Sequence, residues 1–140
     1  MIFLDDETLF HKTLSIEVPW SHSYADMRVG KTDRERRENF RAAAVGKIIA
    51  PRLAPRWWAF RISVTKARRS LDVDNVAKTI IDAFCTRQIA RDGSSFVDLG
   101  LYPDDSFDHV RFLQVGGQRG PDATRIEIFG CISDDGGVGP

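Results

Sequence analysis

The chain reads as an α+β domain, a two-layer sandwich in which a mixed four-stranded sheet carries two helices on one face in the order β-α-β-α-β-β. Three observations predict it. Apolar residues alternate with polar ones in several short stretches and recur at helical spacing in two longer ones. Gly and Pro punctuate the boundaries between them. The length, 140 residues with 42% hydrophobic side chains, suits one core and not two. With no internal repeat or linker, residues 1–140 form a single expected domain with its core at about 13–130. The Gly/Asp-rich end, 132–140, reads as a flexible tail.

The first strand is Leu14-Ser15-Ile16-Glu17-Val18, where alternation holds until Pro19 removes a backbone donor. Thr32 is a candidate N-cap for a helix over 33–50 that places Phe40, Ala44 and Ile48 near one face and stops before Pro51. A second strand covers 57–65, with Trp58, Phe60, Ile62 and Val64 on the core side and Trp57, facing the other way, expected at an interface. Val76, Ile80, Ile81 and Phe84 recur at helical spacing and predict a second helix over 74–88. The polar stretch 89–100 reads as a mobile loop, followed by strands at 108–115 and 124–131 joined by the Gly-rich connection 116–122.

Composition excludes several classes of function. No stretch approaches the roughly 18 apolar residues of a membrane span, and the N-terminus lacks the pattern of a signal peptide, so a cytoplasmic protein with no membrane partner is expected. Cys85 and Cys131 are too few for a disulfide framework and read as buried thiols. His11, His22 and His109 are scattered, which argues against imidazole ligation of a metal. There is no Ser/His/Asp elbow and no phosphate-binding glycine loop of the Walker type.

The net charge of zero conceals a sorting of charge along the chain: −3 over residues 1–30, +9 over 31–70 and −6 over 71–140. A block this basic suits a phosphate-binding surface and the acidic block a cation site, with a solvated helix face and acidic loops as the plain alternative. The acidic side chains concentrate at the start of the second helix. Asp72 and Asp74, two apart in an extended segment, can turn both carboxylates the same way. Asn75 adds a neutral oxygen or amide, and Lys78 lies one helical turn after Asp74. A further pair, Asp104-Asp105, precedes the third strand and can converge on the first in a small sheet. Two carboxylates about 4 Å apart repel by about 4 kcal/mol at an effective dielectric of 20, a load that a hard, oxygen-seeking cation such as Mg²⁺ removes. Capping of the helix and turn by Asp72 and Asp74 is the competing reading, and Asp82, four residues after Lys78, reads as its ion-pair partner. An EF-hand loop is excluded because the Asp72 segment has no oxygen ligand at its fifth position and no Gly at its sixth.

Taken together, Asp72-Val73-Asp74-Asn75-Val76-Ala77-Lys78, then Asp82-Ala83-Phe84, then Leu101-Tyr102-Pro103-Asp104-Asp105-Ser106, the sequence resembles the RusA family of Holliday junction resolvases. The family pattern is Asp-x-Asp-Asn-x-x-Lys-x-x-x-Asp-Ala followed by an Asp-Asp pair. The likeness extends to the strand end Ile16-Glu17-Val18-Pro19-Trp20 and covers roughly residues 13–130, although the connection 85–102 is longer than the family's. The resemblance implies a RusA-like fold of bacterial or phage origin. It also implies a Mg²⁺-dependent endodeoxyribonuclease, with Mn²⁺ as a substitute, that acts as a homodimer in DNA recombination and repair and nicks opposed strands of a four-way junction symmetrically. It carries the catalytic and metal-binding roles to Asp72, Asp74 and Asp105 and the catalytic lysine to Lys78, with Asn75 and Asp104 in support. Under this reading the basic block supplies DNA contacts, Arg34, Arg37, Arg41, Lys66, Arg68 and Arg69 foremost. The alternative is a DNA-binding or phage accessory protein that keeps the fold without junction cleavage.

Overall fold

A computed structural model describes residues 2–21, 33–68 and 73–133; Thr32, Arg69, Asp72 and the tail from 134 onward lie outside the described residues. The order of elements is β1 (Phe10–Val18), α1 (Asp33–Ala44), β2 (Trp58–Lys66), α2 (Val73–Ala83), α3 (Thr86–Arg91), a short 3₁₀ turn (Val97–Leu99), β3 (Val110–Arg119) and β4 (Ala123–Cys131). The strands form one mixed sheet in the order β1-β4-β2-β3, with β2 and β3 parallel and the other pairs antiparallel. The architecture is therefore α+β with a mixed four-stranded sheet, as the periodicities predict, but with three α-helices among the described residues in place of two.

Period two sorts the strands into two faces. Leu14, Ile16, Val18, Phe60, Ile62, Val64, Ile126 and Ile128 are buried in one core with Phe40 and Ala44 of α1 and Val76, Ala77, Ile80 and Ala83 of α2, so both helices cover the same face. The opposite face holds a smaller cluster, Leu4, Phe10, Trp57, Ala59, Phe129 and Cys131. Trp57 is thus not an interface residue: it is 3% exposed and packs edge-on against Phe10, with ring centroids 5.5 Å apart. Adjacent strand residues do face opposite ways, and here each face has its own core. Both cysteines are buried and outside any disulfide.

The element boundaries shift for identifiable reasons. β1 begins at Phe10, four residues before the expected start, because a bulge between Lys12 and Leu14 breaks the alternation of the sequence while pairing with β4 continues. α1 ends at Ala44 and not at residue 50, since Gly46 takes a positive φ of 75° that closes the helix. Ile48 still packs on the core, and the Ile49 amide donates to the Thr13 carbonyl at the bulge. β3 runs through the expected Gly-rich connection, where Gly116 to Arg119 pair with Ser63 to Lys66 of β2.

The largest departure is at 84–103. The second helix does not continue to residue 88. At Cys85 the backbone extends, and residues 101–103 pair alongside: the Leu101 amide donates to the Phe84 carbonyl, Thr86 to Tyr102 and Arg87 to Pro103. The Tyr102 hydroxyl donates to the Ile81 carbonyl at 2.6 Å, tying the returning chain to the last turn of α2. The stretch expected as a mobile loop is instead anchored, with Ile89, Asp92 and Leu99 buried. Gly93, at φ 62°, ends α3 by letting the Ser94 amide return to the Ile89 carbonyl.

Asp92 is the polar anchor of this segment. Its carboxylate accepts from Arg37 Nε and Nη2 at 2.8 and 2.7 Å, from Arg41 Nη1 at 2.9 Å and from Gln88 at 3.0 Å. Burial pushes the carboxyl pKa up, but these donors outweigh it and hold the pKa well below the ordinary carboxylate range. Replacing Asp92 with Ala strips Arg37 of its carboxylate and leaves the fully buried Arg41 guanidinium with Glu38 alone, and should cost about 3 kcal/mol in urea unfolding. Because the folded pKa is depressed, Asp92 contributes fully above its unfolded value near 3.8. The stability gap between wild type and Asp92→Ala should therefore narrow as pH falls below that value.

Candidate active site

α2 buries Val76, Ala77, Ile80 and Ala83 and turns Asp74, Asn75 and Lys78 to solvent. Asp74, Lys78 and Asp82 recur every fourth residue and form one stripe along the helix. The start of the helix rests on β3 at Gly117, where an added Cβ would already lie 3.4 Å from Val73 Cγ1.

The pairing of 101–103 with 84–87 delivers Asp104 and Asp105 to the C-terminal half of this stripe. Lys78 Nζ lies 3.5 Å from Asp82 Oδ2 and 4.0 Å from Asp105 Oδ2. One cation thus joins two carboxylates from separate parts of the chain. Asp105 is half exposed, whereas the Asp82 side chain is only 16% exposed. Burial raises the Asp82 pKa; Lys78 opposes the rise and the negative charge of Asp105 adds to it. Asp104 has a different task. Its Oδ1 accepts from the Ser106 amide at 2.9 Å and its Oδ2 lies 3.6 Å from Arg87, so it shapes the loop beside Asp105. Its carboxyl pKa is lowered by the hydrogen bonds from Ser106.

Asp74, Lys78 and Asp105 therefore share one surface, and Asp72 lies outside the described residues. The donors are hard carboxylate oxygens, which fit Mg²⁺, an ion that keeps several waters and needs few protein ligands when a substrate phosphate supplies others. Among the described residues, no group of three or more His, Cys, Asp or Glu side chains is gathered closely enough to hold a metal. The ligand set implied by the resemblance is Asp72, Asp74 and Asp105, of which Asp74 and Asp105 are described and face solvent. Asp82 belongs to the same cluster, as the ion-pair partner of Lys78 that the spacing predicts and as a position of the sequence motif. Its place before the buried Ala83-Phe84 pair was the available signal that it is part of the core-facing margin of the site.

The five described cations among the six expected to face DNA divide into two groups. Arg41 is fully buried, donating to the Ala83 carbonyl at 2.6 Å as well as to Glu38 and Asp92, and Arg37 is held by Asp92. Lys66 is 9% exposed and donates to the Ser21 carbonyl at 2.7 Å and to Asp122 at 3.1 Å. These three are committed to internal partners, a correction that charge counting does not reveal because internal and surface cations look alike in sequence. Arg34 and Arg68 are exposed, and Arg69 lies outside the described residues.

No protein-family model matches the chain, and no curated protein matches it either. No described helix is long and apolar enough to cross a membrane.

The contact between Lys78 and Asp82 is testable in solution. Lys78 favours the ionised form of Asp82, so Lys78→Ala should move the Asp82 carboxyl midpoint further up. A carbon-13 NMR titration of the side-chain carboxyls reads this directly, and an unchanged midpoint would place Lys78 elsewhere.

Proposed function

We propose that the protein is a Mg²⁺-dependent, structure-selective endodeoxyribonuclease of the RusA kind, acting as a homodimer on four-way DNA junctions. One observation supports this reading above the others. The described part of the first motif on α2, Asp74-Asn75-x-x-Lys78, and the Asp-Asp pair before β3 meet where Lys78 lies 4.0 Å from Asp105. A bare helix cap would not require the second part to be there.

The chemistry follows from the residue types. A divalent ion at the carboxylates supplies positive charge to a scissile phosphate and lowers the pKa of a water. Lys78, 69% exposed, can turn its ammonium outward to offset charge developing on the phosphate or the leaving oxygen. Asp82 and Asp105 hold that ammonium near the site between turnovers. Asn75, exposed on the first turn of α2, would orient a neighbouring carboxylate. Two nicks related by symmetry need two such sites, which a twofold dimer provides.

The test is cleavage of a labelled mobile four-way junction beside a linear duplex of the same sequence, in Mg²⁺ and in EDTA. Paired nicks on the junction alone, abolished by EDTA and reduced at least about 100-fold by Asp74→Asn or Lys78→Ala, are expected. Junction binding that persists in folded wild-type protein with no cleavage in Mg²⁺ or Mn²⁺ would favour the accessory binding role instead.

A further inference from the structure

Phe107 is the most exposed large hydrophobic side chain among the described residues, at 73%. Isolated exposed apolar residues are ordinary on protein surfaces. Phe107 differs in being held firmly. The Asp104 carboxylate accepts from the Ser106 amide, and the Ser106 carbonyl accepts from both the His109 and Val110 amides at 2.9 Å, which fixes the turn on either side of the ring. Arg111 then donates from Nε to the Phe107 carbonyl at 3.0 Å and lays its guanidinium over the ring, 5.0 Å from the centroid. The ring projects from a braced turn two residues after Asp105.

We infer that Phe107, backed by Arg111, is a stacking platform for an unstacked nucleobase next to the cleavage site, and that it helps distinguish branched DNA from linear duplex. This rests on the endonuclease reading above. A π face accepts any base, and the Arg111 cation over the ring would add electrostatic attraction for a polyanionic strand. Stacking is interrupted where strands exchange at a branch point, so a base there is more easily unstacked than one inside a linear duplex, which must be unstacked at an energetic cost. Stacking beside Asp105 therefore rewards the branched substrate at the place where the strand must enter the acidic cluster. A braced turn also costs little entropy on binding compared with a floppy aromatic.

The experiment places 2-aminopurine at the branch point of a four-way junction, and at the matching position of a linear duplex, and measures binding and fluorescence in Ca²⁺. Wild type, Phe107→Ala and Phe107→Trp are compared, with thermal melting to show that each is folded. Wild type should favour the junction and change the 2-aminopurine signal. Phe107→Ala should lose about tenfold or more of that preference, within the range found when one base–aromatic stack is removed, and lose the signal change. Phe107→Trp should restore both. A folded Phe107→Ala protein with undiminished preference and signal would overturn the platform while leaving the nuclease reading standing. The same follows if Phe107→Ala only shifts the sedimentation of the free protein, which would assign the ring to a protein contact. Wild-type protein that binds neither DNA would overturn both readings.

Discussion

The buried ion cluster around Asp92 is the constraint on which the rest of the arrangement depends. Arg37 and Arg41 come from α1, Asp92 from the end of α3, and Arg41 also reaches the carbonyl of Ala83 at the end of α2. Three helices are thus locked at one point. An ionic group removed from water is expensive unless every charge is met, and here the carboxylate accepts from three side chains and the fully buried guanidinium spends its donors on two carboxylates and a carbonyl. Such a cluster is a demanding way to gain stability and an effective way to fix geometry. What it fixes is the course of the chain from Ala83 to Tyr102, and so the place where the Asp-Asp pair returns to α2.

That course explains how residues far apart in sequence share a surface. The core holds α2 against the sheet through Val76, Ala77 and Ile80, which leaves the stripe Asp74, Lys78 and Asp82 outside. Tyr102, fully buried and bonded to the Ile81 carbonyl, brings the next segment in beside the last turn. Asp105 then meets Lys78 from the other side. Between like charges that repel, Lys78 is a cation positioned to make the cluster tolerable.

Much of this was legible in the sequence, and the rest was hidden for physical reasons. The mixed four-stranded α+β class, the core face of β2 and the amphipathic character of α2 follow from periodicity, which depends only on the pitch of strand and helix. The start of β1 did not, because one bulged residue reverses the alternation. The break after Ala83 was invisible since Phe84 and Ile89 keep an apolar pattern through it, and only the partner strand at 101–103 diverts the backbone donors. At the site, the motif pointed to Asp74, Lys78 and Asp105. Charge counting could not separate Arg37, Arg41 and Lys66, which serve the interior, from Arg34 and Arg68, which face water.

The central claim is that the stripe of α2 and the loop before β3 make one divalent-cation centre. Titrating Mn²⁺ into nitrogen-15-labelled protein tests this most directly, because the paramagnetic ion broadens amides according to their distance from it. The account predicts selective, saturable loss of the Asp74, Lys78 and Asp105 signals together, with Glu127 on the opposite face of the sheet unaffected, and competition by Mg²⁺. Broadening confined to one of the two segments, or spread evenly over the acidic surface, would contradict it.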